Sequence, residues 1–98
     1  MGKPIAHVGS STSGHSKCSP PTFIKTAGQS KVFVMGKKVA VTGGRTATHG
    51  CKDDPAHQDR ITKGSRKVRI LGKGIARQGD PLIKGARITS GKKKFLVG

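Results

Sequence analysis

The chain has 98 residues, with 20 Lys or Arg against four Asp and no Glu, and a formal net charge of +16. Only 32% of it is apolar, with three Phe and no Trp or Tyr, so its core is thin and a disulfide or a bound metal is an expected reinforcement. No apolar run is long enough for a membrane-spanning helix and no stretch resembles a signal peptide, which predicts synthesis in the cytoplasm. The length predicts one domain over residues 1–98.

In chain order, the first segment is Gly2-Lys3-Pro4-Ile5-Ala6-His7-Val8-Gly9. It returns as Gly36-Lys37-Lys38-Val39-Ala40-Val41-Thr42-Gly43 and as Gly72-Lys73-Gly74-Ile75-Ala76-Arg77-Gln78-Gly79, with starts 34 and 36 residues apart. A Gly-Lys pair alone is weak in so Gly- and Lys-rich a chain; the Ile or Val, the Ala and the second Gly at fixed offsets carry the repeat. Three copies on one chain predict approximate threefold symmetry. His7 falls where the other copies have Val41 and Arg77, a strand position, and reads as structural.

The second and third copies follow the runs Lys31-Val32-Phe33-Val34-Met35 and Lys67-Val68-Arg69-Ile70-Leu71, which alternate with the period of a strand buried on one face. The closing Phe95-Leu96-Val97-Gly98 matches Phe33-Val34-Met35-Gly36 as a further half-copy. Each run leads into Gly-Lys, and Gly as the first of two turn residues suits a type II′ hairpin. No segment keeps a helical apolar period, and 15 Gly with 5 Pro argue against long helices. The fold class predicted is therefore all-β: three pseudo-threefold β-hairpin repeats, each opening into a loop at Gly9, Gly43 or Gly79.

Those loops hold the metal-binding residue types. His15 lies six residues after Gly9 and His49 six after Gly43, so the two are equivalent in the repeat frame and can converge on the axis. Their third equivalent is Gly85, which cannot ligate, and Cys51 and His57 follow His49 closely. Three imidazoles with one thiolate, from His15, His49, Cys51 and His57, form a tetrahedral zinc set with bonds of roughly 2.0–2.3 Å. Cys18 is the reserve ligand. A structural zinc contributes on the order of 10 kcal/mol to folding, which would offset the thin core. A Cys18–Cys51 disulfide and solvated loop histidines are the alternatives at this stage. A catalytic zinc needs an open position and a base; the chain has no Glu, and Asp53, Asp54 and Asp59 cluster in the ligand loop, so no enzyme activity is expected.

This combination resembles the PAAR-repeat family, the proteins that tip the spikes of contractile phage tails and type VI secretion systems. The Pro-Ala-Ala-Arg motif is matched loosely by Pro4-Ile5-Ala6-His7 and by Gly74-Ile75-Ala76-Arg77-Gln78-Gly79-Asp80. Ser13-Gly14-His15 with a following Cys and Pro20-Pro21, His49-Gly50-Cys51, His57, and Gly64-Ser65 before the third strand extend the match along essentially the whole chain. The family's Asp after the loop-opening Gly survives only as Asp80, with Ser10 and Gly44 at the other two places. Cys18 follows His15 by one residue more than the family's spacing, and Lys84 stands where a Cys is common.

The resemblance implies a small cone, pinned by zinc near its apex, whose base caps a trimeric β-helical spike with one copy per trimer and whose point pierces a target cell envelope. It implies a monomer on its own, a mechanical role, no small-molecule substrate, and a place in the virion as a phage tail tip or in a type VI secretion apparatus. The length leaves no room for an appended toxin domain. Phe33, Met35, Leu71 and Phe95 are candidates for the base, because apolar anchors favour interface cores. The competing class is a basic nucleic-acid-binding protein, supported by the charge and by Lys92-Lys93-Lys94. Stacking aromatics are missing and the cations are spread along the chain, so no nucleic-acid partner is expected.

Overall fold

The computed structural model describes residues 2–14, 21–51 and 54–98, and the side chains of all of these except Cys51, Asp54, Pro55 and Lys84. The described chain is all-β. Its strands are β1 (Lys3–Ile5), β2 (Ser11–Thr12), β3 (Thr22–Thr26), β4 (Phe33–Val34), β5 (Lys37–Lys38), β6 (Arg45–Thr46), β7 (His49–Cys51), β8 (Asp54–His57), β9 (Arg69–Ile70), β10 (Lys73–Gly74) and β11 (Lys92–Val97). Its helical content among the described residues is one 3₁₀ turn, Ile83–Gly85, and no helix is long and apolar enough to cross a membrane.

The two internal hairpins share one register: Val34 pairs with Lys37 in β4–β5, and Ile70 with Lys73 in β9–β10. This corrects the turn. Its two residues are Met35-Gly36 and Leu71-Gly72, not Gly-Lys, and all four have positive φ, at 50°, 79°, 53° and 79°. Positive φ at both positions defines type I′, whose twist matches the flanking strands. Burial decides between the two registers: Val34 is buried and Phe33 exposed, and a slip of one residue would exchange them. The cost is a Met and a Leu in the left-handed region, roughly 1–2 kcal/mol each.

A third antiparallel pair, hairpin-like but without a connecting turn, joins the chain ends, because β11 pairs with β1, Lys3 opposite Val97 and Pro4 opposite Leu96. Val97 thereby stands where Val34 and Ile70 stand, so the C-terminal half-copy is offset by one residue from the alignment its sequence suggests. Val97 is buried while Phe95 and Leu96 are exposed, and that burial sets the register.

The three copies exchange hydrogen bonds in a closed cycle. Ala6 N–H donates to Ala76 O at 3.0 Å, Ala40 N–H to Ala6 O at 3.0 Å, and Ala76 N–H to Ala40 O at 2.9 Å. Bridges around this ring repeat the cycle, as Ile5 with Arg77, His7 with Val39, and Val41 with Ile75. A further tier does so again: Thr12 with Ile88, Ile24 with Thr46, and Ile61 with Leu82. Ala occupies the ring because three backbones within hydrogen-bonding distance leave no room for more than a methyl group; all three Ala are fully buried. One apolar cluster lies on the hairpin side of the ring (Ile5, Val34, Val39, Val41, Ile75, Val97). The other contains the ring and continues toward the loops with Ile24, Ile61, Leu82 and Ile88.

The loop-opening glycines adopt φ of 98°, 93° and 95°, and their N–H groups donate to Ile24, Ile61 and Ile88 carbonyls at 2.8, 3.0 and 2.7 Å. The residue that follows has a specific task. Ser10 Oγ accepts the His7 N–H at 3.0 Å, and Asp80 Oδ2 accepts the Arg77 N–H at 2.8 Å. At the second copy the Ala27 carbonyl does this instead, accepting the Val41 N–H at 2.9 Å. A Cβ at Gly44 would lie 2.8 Å from that same carbonyl oxygen. Gly44 is therefore a glycine because backbone has taken the place of the side chain. His7 is structural, as expected: it is buried, and Nδ1 donates to the Val8 carbonyl at 2.7 Å.

Candidate metal centre

Past the second copy, Thr46 anchors a segment that folds back on itself. Thr46 N–H donates to the Asp59 carbonyl at 2.9 Å, and Asp59 N–H donates to Thr46 Oγ1 at 2.9 Å. Between them β7 and β8 pair with His49 directly opposite His57. Opposed residues of an antiparallel pair share a face, so the two imidazoles meet, with ring centroids 4.6 Å apart and planes at 63°. Asp59 is two residues beyond His57, and the two-residue period of extended chain returns its side chain to the same face.

The result is a compact group of donors. His49 Nε2 lies 2.9 Å from Asp59 Oδ2, and His57 Nε2 lies 3.2 Å from Asp59 Oδ1. One ligand atom from each residue falls within 4.8 Å of the others. Asp59 is fully buried and the His49 side chain nearly so, while His57 keeps a partly open edge. A carboxylate removed from water needs a positive partner, and a divalent cation or a protonated imidazole supplies one. Two imidazoles and a carboxylate are a donor set of the kind that binds divalent metal ions. The group can hold a metal ion.

Of the four ligands expected from sequence, the structure brings His49 and His57 together. His15, and the reserve Cys18, lie outside the described residues. Cys51 ends β7, and its side chain also lies outside them. Asp59 is the addition. Its signal was present in His57-Gln58-Asp59, because the i, i+2 spacing puts two donors on one face of extended chain. The other described carboxylate, Asp80, is engaged elsewhere: its oxygens accept Arg77 Nε at 3.0 Å and Arg77 Nη2 at 2.9 Å. The third repeat-equivalent, Gly85, ends the 3₁₀ turn with φ 84° and contributes no side chain.

No protein-family model matches the chain, and no curated protein matches it.

Proposed function

We propose that the chain is a structural spike-tip protein of the PAAR-repeat kind, a cone whose hairpin end caps a trimeric β-helical spike and whose loop end is the piercing point. The observation that carries this reading is the closed cycle of hydrogen bonds among three copies. A chain with three near-equivalent faces can meet three identical chains with matched contacts, one copy per trimer. The apolar residues at the hairpin end support it: Met35 is 61% exposed and Leu71 72%, both at type I′ tips, with Phe33 and Leu96 at equivalent exposed positions beside them. Apolar side chains held at positive φ and in water are a cost to the isolated chain, and contact with a partner offsets it. Exposed hairpin backbone can extend a β-helix by strand addition.

On this reading zinc occupies the His49, His57 and Asp59 group, with His15 and Cys51 as the further candidate ligands. The ion fastens loops too narrow to be held by packing, and the protein performs mechanical work without catalysis. It would act in a phage tail tip or a type VI secretion apparatus, against a target cell envelope. The extents of 38 × 26 × 22 Å suit an elongated cap.

The test is to mix the protein with a trimeric β-helical spike fragment and measure mass by light scattering across a salt series. The expected complex holds one copy per trimer and weakens only modestly with salt. Met35→Asn with Leu71→Asn keeps residues that type I′ turns accept but removes the apolar tips, so this variant should stay folded and bind at least roughly tenfold more weakly. Failure to form the complex, together with tight and steeply salt-dependent binding to duplex DNA, would replace this reading with the nucleic-acid one.

A further inference from the structure

We infer that the grooves between successive repeats are docking sites for extended acidic segments of a polypeptide partner. The first groove, between the first copy and hairpin β4–β5, encloses about 640 Å³. Val8, Ala27 and Phe33 give its lining apolar surface, and Lys25, Lys37 and Lys38 line it as well. Its repeat-equivalent lies between the second copy and hairpin β9–β10, as adjoining cavities of about 310 and 330 Å³ that share Thr42 and Thr62. Thr42 takes the place of Val8, Arg69 of Phe33, and Lys73 of Lys37. This second groove is again cationic, with Arg60, Lys63, Arg66, Arg69 and Lys73.

Among the described residues, no carboxylate lines either groove. Among the described residues, Asp59 is committed to the two imidazoles and Asp80 to Arg77. The grooves are thus lined by like charges with no carboxylate among the described residues, and a ligand bearing negative charge relieves their repulsion. The first groove is also preformed. Gln29 clamps its wall, donating from Nε2 to the Val32 and Val39 carbonyls at 2.8 and 2.7 Å and accepting at Oε1 from the Lys31 and Val32 N–H groups at 2.7 and 2.8 Å. A wall fixed in advance lowers the ordering cost of binding.

The chemistry selects the occupant. An extended peptide alternates its side chains between two faces, so in the first groove a strand alternating Asp or Glu with apolar residues can meet both the lysines and the apolar lining. A nucleic acid would satisfy the lysines, but it has no matching group for Val8 and Ala27 and finds one half-exposed Phe for stacking. Assignment of the segments to several copies of one partner chain rests on the spike reading, because repeated grooves match repeated chains.

The test uses the full ¹⁵N-labelled chain and a capped pentapeptide alternating glutamate with valine. Controls are the matched lysine–valine peptide and a short single-stranded DNA. Amide shifts are expected at Gly9, Gly28 and Gly36, saturating with the acidic peptide alone. Lys37→Glu with Lys38→Glu, both exposed in the free chain, should weaken that binding roughly tenfold while leaving the melting temperature unchanged. Shifts that map elsewhere, equal binding of the lysine peptide, or displacement by the DNA would each overturn the inference. The two readings fail separately. A spike complex untouched by the charge reversal removes the grooves and keeps the spike; an acidic peptide seated in the groove of a protein that ignores the spike does the reverse.

Discussion

Asp59→Asn tests the metal centre most directly. The substitution preserves shape and leaves the two backbone-mediated bonds to Thr46 in place, so the β6 contact and the β7–β8 hairpin keep their anchor. It replaces one carboxylate oxygen by an amide at a site with no solvent exposure, 2.9 and 3.2 Å from two imidazole nitrogens. Removing one partner of such a buried group costs about 3–5 kcal/mol. For 98 residues the unfolding entropy is roughly 0.2 kcal/mol per kelvin, so the melting temperature should fall by about 15–25 °C. The assay pairs metal content of the purified protein with thermal scans with and without chelator. Wild type should carry near-stoichiometric metal and lose stability on chelation, whereas Asp59→Asn should carry little and respond weakly. Asp80→Asn is the control, expected to lower stability without changing metal content. An Asp59→Asn protein that keeps one metal per chain, or a wild type that melts identically with and without chelator, would refute the reasoning and leave a buried His–Asp ion pair.

Ala40→Val should destabilise by roughly 1–3 kcal/mol in chemical denaturation, because it inserts two methyl groups where three backbones meet; Ala6→Val and Ala76→Val should cost similar amounts if the three positions are equivalent. Asp80→Ser should cost less than Asp80→Ala, since a hydroxyl at the matching position already accepts the backbone N–H at Ser10; thermal melts of the pair check the order, with the Ala variant losing roughly 1–3 kcal/mol.

The repeats and the strand class were legible because both are local and periodic: an Ala preceded by Ile or Val and closed three residues later by Gly needs no knowledge of its neighbours. The turn was not, since Gly-Lys and Met-Gly readings differ by one residue and the burial of Val34 over Phe33 makes the choice. The same single-residue ambiguity displaced the C-terminal half-copy until its pairing with β1 fixed Val97 as the buried position. In the site, His49 and His57 were legible as residue types near one another in sequence. That they face each other across a hairpin depends on a register with a bulge between His49 and Cys51, which no local pattern encodes. Gly44 shows the opposite case, a departure from the side-chain acceptors Ser10 and Asp80 of the other copies that only the position of the Ala27 carbonyl explains.

The repeats differ most where they would build a site. Each contributes the same parts to the core: an Ile or Val on the hairpin side, one Ala in the ring, and one fully buried Ile beyond it (Ile24, Ile61 or Ile88). A linear array of such units would leave two ends in need of caps, but pairing of β11 with β1 closes the cycle, so backbone hydrogen bonds replace the bulk that a large apolar core supplies. Symmetry then has opposite values at the two ends. Near-equivalent hairpins give repeated contacts and repeated cationic grooves, which a repeated partner can use. A single ion needs donors gathered at one place, and three unequal loops do this more readily than three equal ones. The third return is a short 3₁₀ turn ending at Gly85, and the second is long enough to fold into β7–β8 and carry His49, His57 and Asp59. The conserved frame of each copy builds the scaffold, and the loops released from that frame build the chemistry.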